Sequence, residues 1–402
     1  MSTAAAAATL PTPAARPRPL RIAHVNANFF AGAGGIMLRE ALALADQGCS
    51  STILAPHDGT LLRRAEEGGL RILRLDALRG GRHPAFSEAA ALRELTAHLA
   101  IGDFDVVHTH GMKAGLLGRL AGHRVGVRAI VHTLHGFPFH EFQSRATRAA
   151  LLTMERRLGR LTDYFLTDGT FVASEAVRLK IAPPDRIRAL ISPIDPVPPV
   201  TPERRRRARE LLGLPQDAQV VGTVARIVNQ KAPFDMVEAV ASLARPDLYT
   251  VWIGDGELRE QTAKLIRAKG LTDRFLLVGE RSNVPELLPA FDVFALSSIF
   301  EGLPCSVVEA MTCGIPVVAN AVNSVPEIVL AGKTGIVARP KDPSSLARGI
   351  VYLLDHPQDA ARMAVAARSH IGAQFQSDVL AEELIDAYET ALRFSSNGRG
   401  GH

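Results

Sequence analysis

The chain is poor in residues that cross-link a fold, and it has no segment that could span a membrane. Of 402 residues only three are cysteine (Cys49, Cys305 and Cys313), their number is odd, and no two form a C-x-x-C pair. That excludes a disulfide framework and a zinc-ribbon pattern, and it leads to the expectation of a reducing, cytoplasmic compartment. No stretch reaches the roughly 20 consecutive apolar residues that a membrane-spanning helix needs. Charge of one sign is scarcely in excess: Lys and Arg number 46 against 41 Asp and Glu, a difference of 46 − 41 = 5. With a pI near 9.3 the chain is mildly basic, which favours anionic ligands or an anionic membrane surface and is too weak a signal for nucleic acid. The opening MSTAAAAATLPTPAARPRP lacks a charged start and a bulky apolar centre, so residues 1–19 read as a disordered leader. The end, residues 395–402, reads as a disordered tail.

An ordinary globular balance remains, 47% hydrophobic and 22% charged, in a chain long enough for two cores. Short apolar runs alternate with helical stretches. Strands are expected at Arg21–Val25, Thr52–Ala55, Arg71–Leu75, Val106–Thr109, Ala129–Thr133 and Tyr164–Thr167. The alternation stops at ISPIDPVPPVTP, residues 191–202, where five prolines in twelve residues sustain neither helix nor central strand. It restarts with Gln219–Val224, Tyr249–Ile253, Arg274–Val278, Val293–Leu296, Ile315–Ala319 and Gly335–Ala338. Apolar strands joined by helices predict parallel sheets covered on both faces. The expected division is an N-terminal Rossmann-like domain over 20–191, a linker over 192–202 and a second such domain over 203–376. The fold class is therefore α/β, with strand C-termini meeting at an inter-domain cleft.

The most informative stretch is Ser298–Pro326, SIFEGLPCSVVEAMTCGIPVVANAVNSVP. Glu301 lies on a loop, and eight residues later Glu309 falls at the start of a short helix, with Ser306 read as its N-cap and Gly314 as its stop. A helix N-terminus offers free amides and a positive dipole end to phosphate, while carboxylates accept hydrogen bonds from sugar hydroxyls. Together these point to a nucleotide sugar. The same Ser306-x-x-Glu309 spacing also fits a capping box, in which Glu309 only turns back onto the Ser306 amide.

A longer string favours the ligand reading and leaves the capping box as the alternative. E-G-L-P-x-S-x-V-E-A-M-x-x-G-x-P-V-V-A, followed by V-P-E-I-V and G-x-T-G, resembles the donor-binding signature of glycosyltransferase family 4. That resemblance implies the GT-B fold and retaining transfer from a nucleoside diphosphate sugar, most often UDP-linked. Glu301 would contact the donor sugar and Glu309 the ribose, with Leu303 inside the same motif. The segment after Asp378 would form a helix, residues 377–394, that crosses back to the N-terminal domain.

Other motifs fit the same picture. Gly34 and Gly35 end a Gly-rich turn, Asn28–Gly35, which is not spaced as G-x-G-x-x-G; it resembles the family's glycine loop near the donor. Arg226 and Lys231 lie just beyond an expected strand, suited to a diphosphate whose charge grows as the glycosidic bond breaks. They resemble the family's G-R-x-x-x-x-K-G, with Ala232 in place of the usual glycine. WIGDGELR (252–259) and LLVGERSNV (276–284) read as architectural. The histidines His108, His110, His132 and His135 could converge on a metal, but no carboxylate or cysteine joins them at ligand spacing. The expectation is therefore no metal and no cofactor, with His108 and His132 satisfying strand ends. By resemblance His135, in H-G-F, is the cleft histidine beside the donor sugar.

Two further features bear on the acceptor and the sugar. In the basic stretch 143–160, Arg145, Arg148, Arg156 and Arg160 share roughly one side and Leu151, Leu152 and Leu158 are available to bury. This is an ordinary solvated helix or a surface for anionic headgroups at the inner membrane face, and the run Arg204–Arg207 is read the same way. The family's G-G before P-E-I-V is replaced here by Asn323-Ser324-Val325, and S-G-I-D by Ser192-Pro193-Ile194-Asp195. The expected partners are a nucleotide-sugar donor and a glycan or lipid-linked acceptor. Two alternatives remain: a non-hydrolysing UDP-sugar 2-epimerase, and a catalytically silent nucleotide-sugar-binding subunit.

Overall fold

The computed structural model describes residues 18–27, 29, 32–56, 61–78, 86–190, 197–374 and 377–399. Two parallel sheets carry the chain. The first contains β1 (Arg21–Asn26), β2 (Ser50–Ala55), β3 (Arg71–Arg74), β4 (Val106–His110), β5 (Ala129–Leu134), β6 (Tyr164–Thr167) and β7 (Ile187–Ala189), in the order β3-β2-β1-β4-β5-β6-β7. The second contains β8 (Gln219–Val224), β9 (Leu248–Ile253), β10 (Phe275–Gly279), β11 (Val293–Leu296), β12 (Val317–Asn320) and β13 (Ile336–Ala338), in the order β10-β9-β8-β11-β12-β13. The central strands are buried along their length, as doubly covered parallel strands must be.

Six helices matter to the site: α1 (Ala33–Asp46), α2 (Arg145–Gly159), α3 (Thr170–Arg178), α4 (Pro202–Leu212), α5 (Cys305–Cys313) and α6 (Ser377–Arg399). Although α6 ends the chain, it packs on the first sheet. Leu380, Leu384 and Tyr388 are buried with Ile22, Val106 and Val131 in one apolar cluster.

Several expectations need correction. The strand read as Ile315–Ala319 runs Val317–Asn320, because Pro316 has no N–H to enter the ladder. The short strand β7, not anticipated, pairs with β6 at the sheet edge. Residues 1–17 of the leader and 191–196 of the proline-rich stretch lie outside the described residues. Arg18, assigned to the leader, donates to Asp105 at 2.8 Å. Of the tail, 395–399 continue α6, with Ser395 buried, while 400–402 are not described. In the run Arg204–Arg207 at the start of α4, Arg204 donates to the carbonyls of Pro198, Pro199 and Pro285, and Arg205 pairs with Asp292. Arg204 thus ties the linker down and Arg205 is held by Asp292, so these two side chains are not a free basic patch.

Candidate active site

The segments after β4, β5, β8, β11 and β12 meet between the two sheets. They enclose a cleft of about 370 Å³ lined by His135, Gln230, Glu301, Gly302 and Asn323, among others. Backbones approach closely here: a Cβ on Gly302 would lie 2.1 Å from the His135 carbonyl oxygen, so only glycine fits. Nearby, the His140 and Phe300 rings stack across the same boundary at 5.5 Å.

Glu301 is buried and its Oε1 accepts from Lys231 Nζ at 2.5 Å, so two of the expected donor-binding side chains are in direct contact. The Glu301 amide donates to Asn323 Oδ1 at 2.8 Å. Asn323 has φ 46°, a left-handed conformation that Asn tolerates better than most residues and that glycine adopts freely. The departure from G-G thus adds a side chain that fixes the Glu301 loop. Ala232 likewise has φ 44°, where the related motif carries glycine. Arg226 is exposed beyond β8, with no side-chain hydrogen bond or ion pair among the described residues.

Ser306 is not an N-cap. The helix α5 starts at Cys305, with Pro304 at the cap position and no side chain capping it. Pro304 precedes the first turn because its fixed φ suits a helix entry, and Ser306 therefore sits inside the helix. Glu309 lies one position beyond the first turn, half-buried, and the capping-box alternative fails because the cap it requires is absent. Gly314 does stop the helix, at φ 86°. Leu303 is buried in the second domain's core just before α5. Burial pushes the Cys305 thiol up to about 12, and the charges of Arg39, Glu309, Asp168 and Lys231 also act on it. Gly34 and Gly35 are buried in the first turn of α1, on the same helix as Arg39, whereas Asn28, Phe30 and Ala31 of that motif lie outside the described residues.

His135 reaches the cleft with a side chain only 12% exposed. Its Nδ1 lies 2.9 Å from Asp168 Oδ2 and its Nε2 lies 3.2 Å from His110 Nδ1. Burial lowers its pKa, but the Asp168 and Glu40 carboxyls outweigh that and leave it above the usual histidine value. Both ring nitrogens are engaged within the protein. Asp168 was not anticipated; its signal was an Asp-Gly pair directly after a predicted strand. His132 is satisfied by Thr109, at 2.8 Å to Oγ1. His108 is bridged between Tyr388 and Thr133, at 2.9 and 2.7 Å. The expectation that no carboxylate joins the histidines is overturned. Glu40 of α1 stands against His108 and His110, at 3.9 and 3.8 Å. Sequence spacing hid it, because parallel pairing and helix packing bring α1 onto β1 and β4 from far along the chain.

In the other basic stretch, α2 is exposed over its first half, with Arg145 and Arg148 in solvent and Phe142 beside it 50% exposed. Leu158 is buried, Leu151 and Leu152 are half-buried, and Arg156 donates to the Leu179 carbonyl at 2.7 Å.

Comparison with known proteins agrees with this geometry. Residues 204–370 match the model for glycosyl transferases group 1, and residues 31–191 match the glycosyl transferase 4-like domain. A D-inositol 3-phosphate glycosyltransferase 2 of Catenulispora acidiphila is 30% identical over 357 residues, 84% of this chain and 82% of the relative. The chain belongs to the family 4, group 1 glycosyltransferases. It is a transferase enzyme of the two-domain GT-B type. A second relative, the UDP-Gal:alpha-D-GlcNAc-diphosphoundecaprenol alpha-1,3-galactosyltransferase of Escherichia coli, is 28% identical over 63% of this chain and 67% of its own length. In fold, the chain superposes on Anabaena HepE, solved in complex with UDP and glucose, with a TM-score of 0.81 and 19% identity, over 92% of this glycosyltransferase and all of that chain. It also matches WaaG, a glycosyltransferase involved in lipopolysaccharide biosynthesis, with a TM-score of 0.72 and 17% identity over 91% of this chain and 98% of WaaG.

Proposed function

We propose that this glycosyltransferase moves a sugar from a UDP-sugar to a hydroxyl of a lipid-linked or cell-surface glycan precursor, with retention of anomeric configuration. The observation that carries the reading is the uncapped N-terminus of α5 beside the Lys231–Glu301 pair and the free Arg226. Amides at a helix N-terminus and two cations suit a diphosphate, and they stabilise its growing charge without a metal at the phosphates. In this reading Glu301 accepts from donor-sugar hydroxyls and Glu309 from the ribose. Gly34 and Gly35 let α1 approach the donor, and Leu303 backs the loop from below. His135 borders the reacting face, held in orientation by Asp168. No carboxylate stands free across the cleft as a covalent nucleophile among the described residues. Attack on the face that the leaving diphosphate vacates, with the diphosphate taking the acceptor proton, accounts for retention.

The donor assignment draws on the E. coli relative named for UDP-Gal and on the UDP bound to HepE. The acceptor assignment draws on that relative's diphosphoundecaprenol substrate. Among the described residues no helix is long and apolar enough to cross a membrane. The exposed start of α2, with Arg145, Arg148 and Phe142, suits docking on anionic headgroups at the inner face, each basic residue contributing about 1 kcal/mol. The test is transfer from radiolabelled UDP-glucose, UDP-galactose and UDP-N-acetylglucosamine to polyprenyl-diphosphate sugars in anionic vesicles, with proton NMR of the product anomer. An α-linked product from one donor supports the reading. Interconversion of free UDP-sugars without acceptor would assign the chain to epimerases, and donor binding without turnover to silent subunits.

A further inference from the structure

We infer that the N-terminal sheet encloses a divalent transition-metal ion of the zinc class, held by His24, Glu40 and His110, with His108 as the fourth neighbour. The site lies between β1, β4 and α1, behind the cleft histidine and apart from the proposed diphosphate contacts, so it stands independently of the donor reading. His24 and His108 are direct partners in the β1–β4 register, and His110 follows two residues on, on the same face of the sheet. Glu40 stands over them from α1. All four residues are buried, and one ligand atom from each lies within 4.8 Å of the others.

Two observations point to a ligand. First, among the described residues His24 Nδ1, Glu40 Oε2 and His110 Nε2 have no hydrogen-bond partner, although all three are buried. Native cores leave few such atoms unpaired, and here two of them, Glu40 Oε2 and His110 Nε2, face each other at 3.8 Å inside the four-residue cluster. Second, each histidine is held from behind. His24 Nε2 faces Ser51 Oγ at 3.4 Å, His110 Nδ1 faces His135 Nε2 at 3.2 Å, and His108 Nε2 faces Thr133 Oγ1 at 2.7 Å. Metal-binding imidazoles are oriented in this way, one nitrogen to the ion and the other to a fixed partner. Two imidazoles and one carboxylate form a donor set for zinc and its first-row neighbours, whereas magnesium and calcium prefer oxygen. His108 Nδ1, 2.9 Å from the Tyr388 hydroxyl, completes the set by exchanging that partner for the ion. An ion on His110 Nε2 would leave the proton on Nδ1, donated to His135 Nε2. His135 would then donate from Nδ1 to Asp168. The ion is therefore a positioning element for the cleft histidine.

The test is elemental analysis of the full chain, purified without affinity histidines or chelators and then equilibrated with Zn²⁺ and desalted. The inference predicts about one equivalent of metal per chain, released stoichiometrically to a chromophoric chelator when guanidinium unfolds the protein. Glu40→Gln and His110→Gln should each reduce the retained metal to below about a tenth of an equivalent, with circular dichroism unchanged, while the exposed control His123→Gln keeps it. A Co²⁺-loaded chain should show visible d–d absorption that both variants lack. Less than about a tenth of an equivalent in the wild type after Zn²⁺ equilibration overturns the inference, and a water or shared proton then fills the cluster. Undiminished metal in both folded variants overturns it too, by placing the ion elsewhere. Should neither variant fold, the wild-type release measurement decides alone.

Discussion

At the scale of single residues, two positions show how this chain departs from its relatives without losing the site. Ala232 and Asn323 both adopt positive φ where the resembling motifs carry glycine. Alanine gains nothing there to offset the strain, so Ala232→Gly should stabilise the protein by about 0.5–1 kcal/mol, after the greater freedom that glycine gives the unfolded chain is counted. A higher urea midpoint with an unchanged slope would bear this out, and a lower midpoint would contradict it. Asn323 differs, because its Oδ1 holds the Glu301 amide at 2.8 Å. Asn323→Gly should keep the fold and cost about 1 kcal/mol of transition-state stabilisation, read as a roughly fivefold loss in kcat/KM. An unchanged kcat/KM would mean that the Glu301 loop needs no such tether. Glu40 marks the limit of sequence reading at this scale. A lone carboxylate on the apolar face of a helix gives no local signal, and its meaning appears only when β1 and β4 place His24, His108 and His110 beside it.

At the scale of elements, most of the architecture was legible because continuous apolar runs separated by helices admit few solutions. Twelve strands were expected, and all have counterparts among the thirteen observed. What escaped were ends and edges. Pro316 delayed β12, β7 was too short and too polar to register, and Pro304 displaced the start of α5 from Ser306. The last error matters chemically, since no side chain caps the first turn: the Cys305 and Val307 amides donate to the Leu303 and Pro304 carbonyls, and the Ser306 amide has no acceptor among the described residues. Gly302, at the foot of that helix, tests how tightly the elements must fit. A methyl group there would lie 2.1 Å from the His135 carbonyl. Gly302→Ala should therefore lower kcat/KM by about 100-fold through displacement of the two loops, with only a small change in melting temperature. Wild-type activity in that variant would show that the loops are free to separate in the working enzyme.

At the scale of the whole molecule, the two sheets are joined by contacts that the sequence did not announce. The Glu327 carboxylate, in the V-P-E-I-V segment of the second half, accepts from the Thr170 and Phe171 amides at 2.8 Å each. It caps α3 of the first half, which has no side-chain cap of its own. A Cβ on Gly169 would lie 2.3 Å from Ser324 Oγ, and Lys341 Nζ reaches Glu141 at 2.6 Å across the same cleft. These contacts hold a closed arrangement. Loss of a carboxylate cap at a helix N-terminus costs about 1–2 kcal/mol, so Glu327→Ala should shift the closed-to-open ratio roughly tenfold. Small-angle scattering should then report a larger radius of gyration, and KM for the donor should rise more than kcat falls. An unchanged radius and KM would mean that the cap does not govern closure.

The proposed donor site places a nucleoside diphosphate sugar at the start of α5, against Arg226, Lys231 and Glu309. The most direct measurement is the thermal shift of the full chain in brief EDTA with UDP, GDP, ADP and their sugar conjugates. A ligand specific to the folded state stabilises by about 2.7 kcal/mol at a hundred times its Kd, a shift of several degrees. The account predicts stabilisation by uridine nucleotides that weakens by about 2 kcal/mol in Arg226→Ala and also falls in Glu309→Ala. No shift with any nucleotide, or one that both variants keep in full, would contradict it.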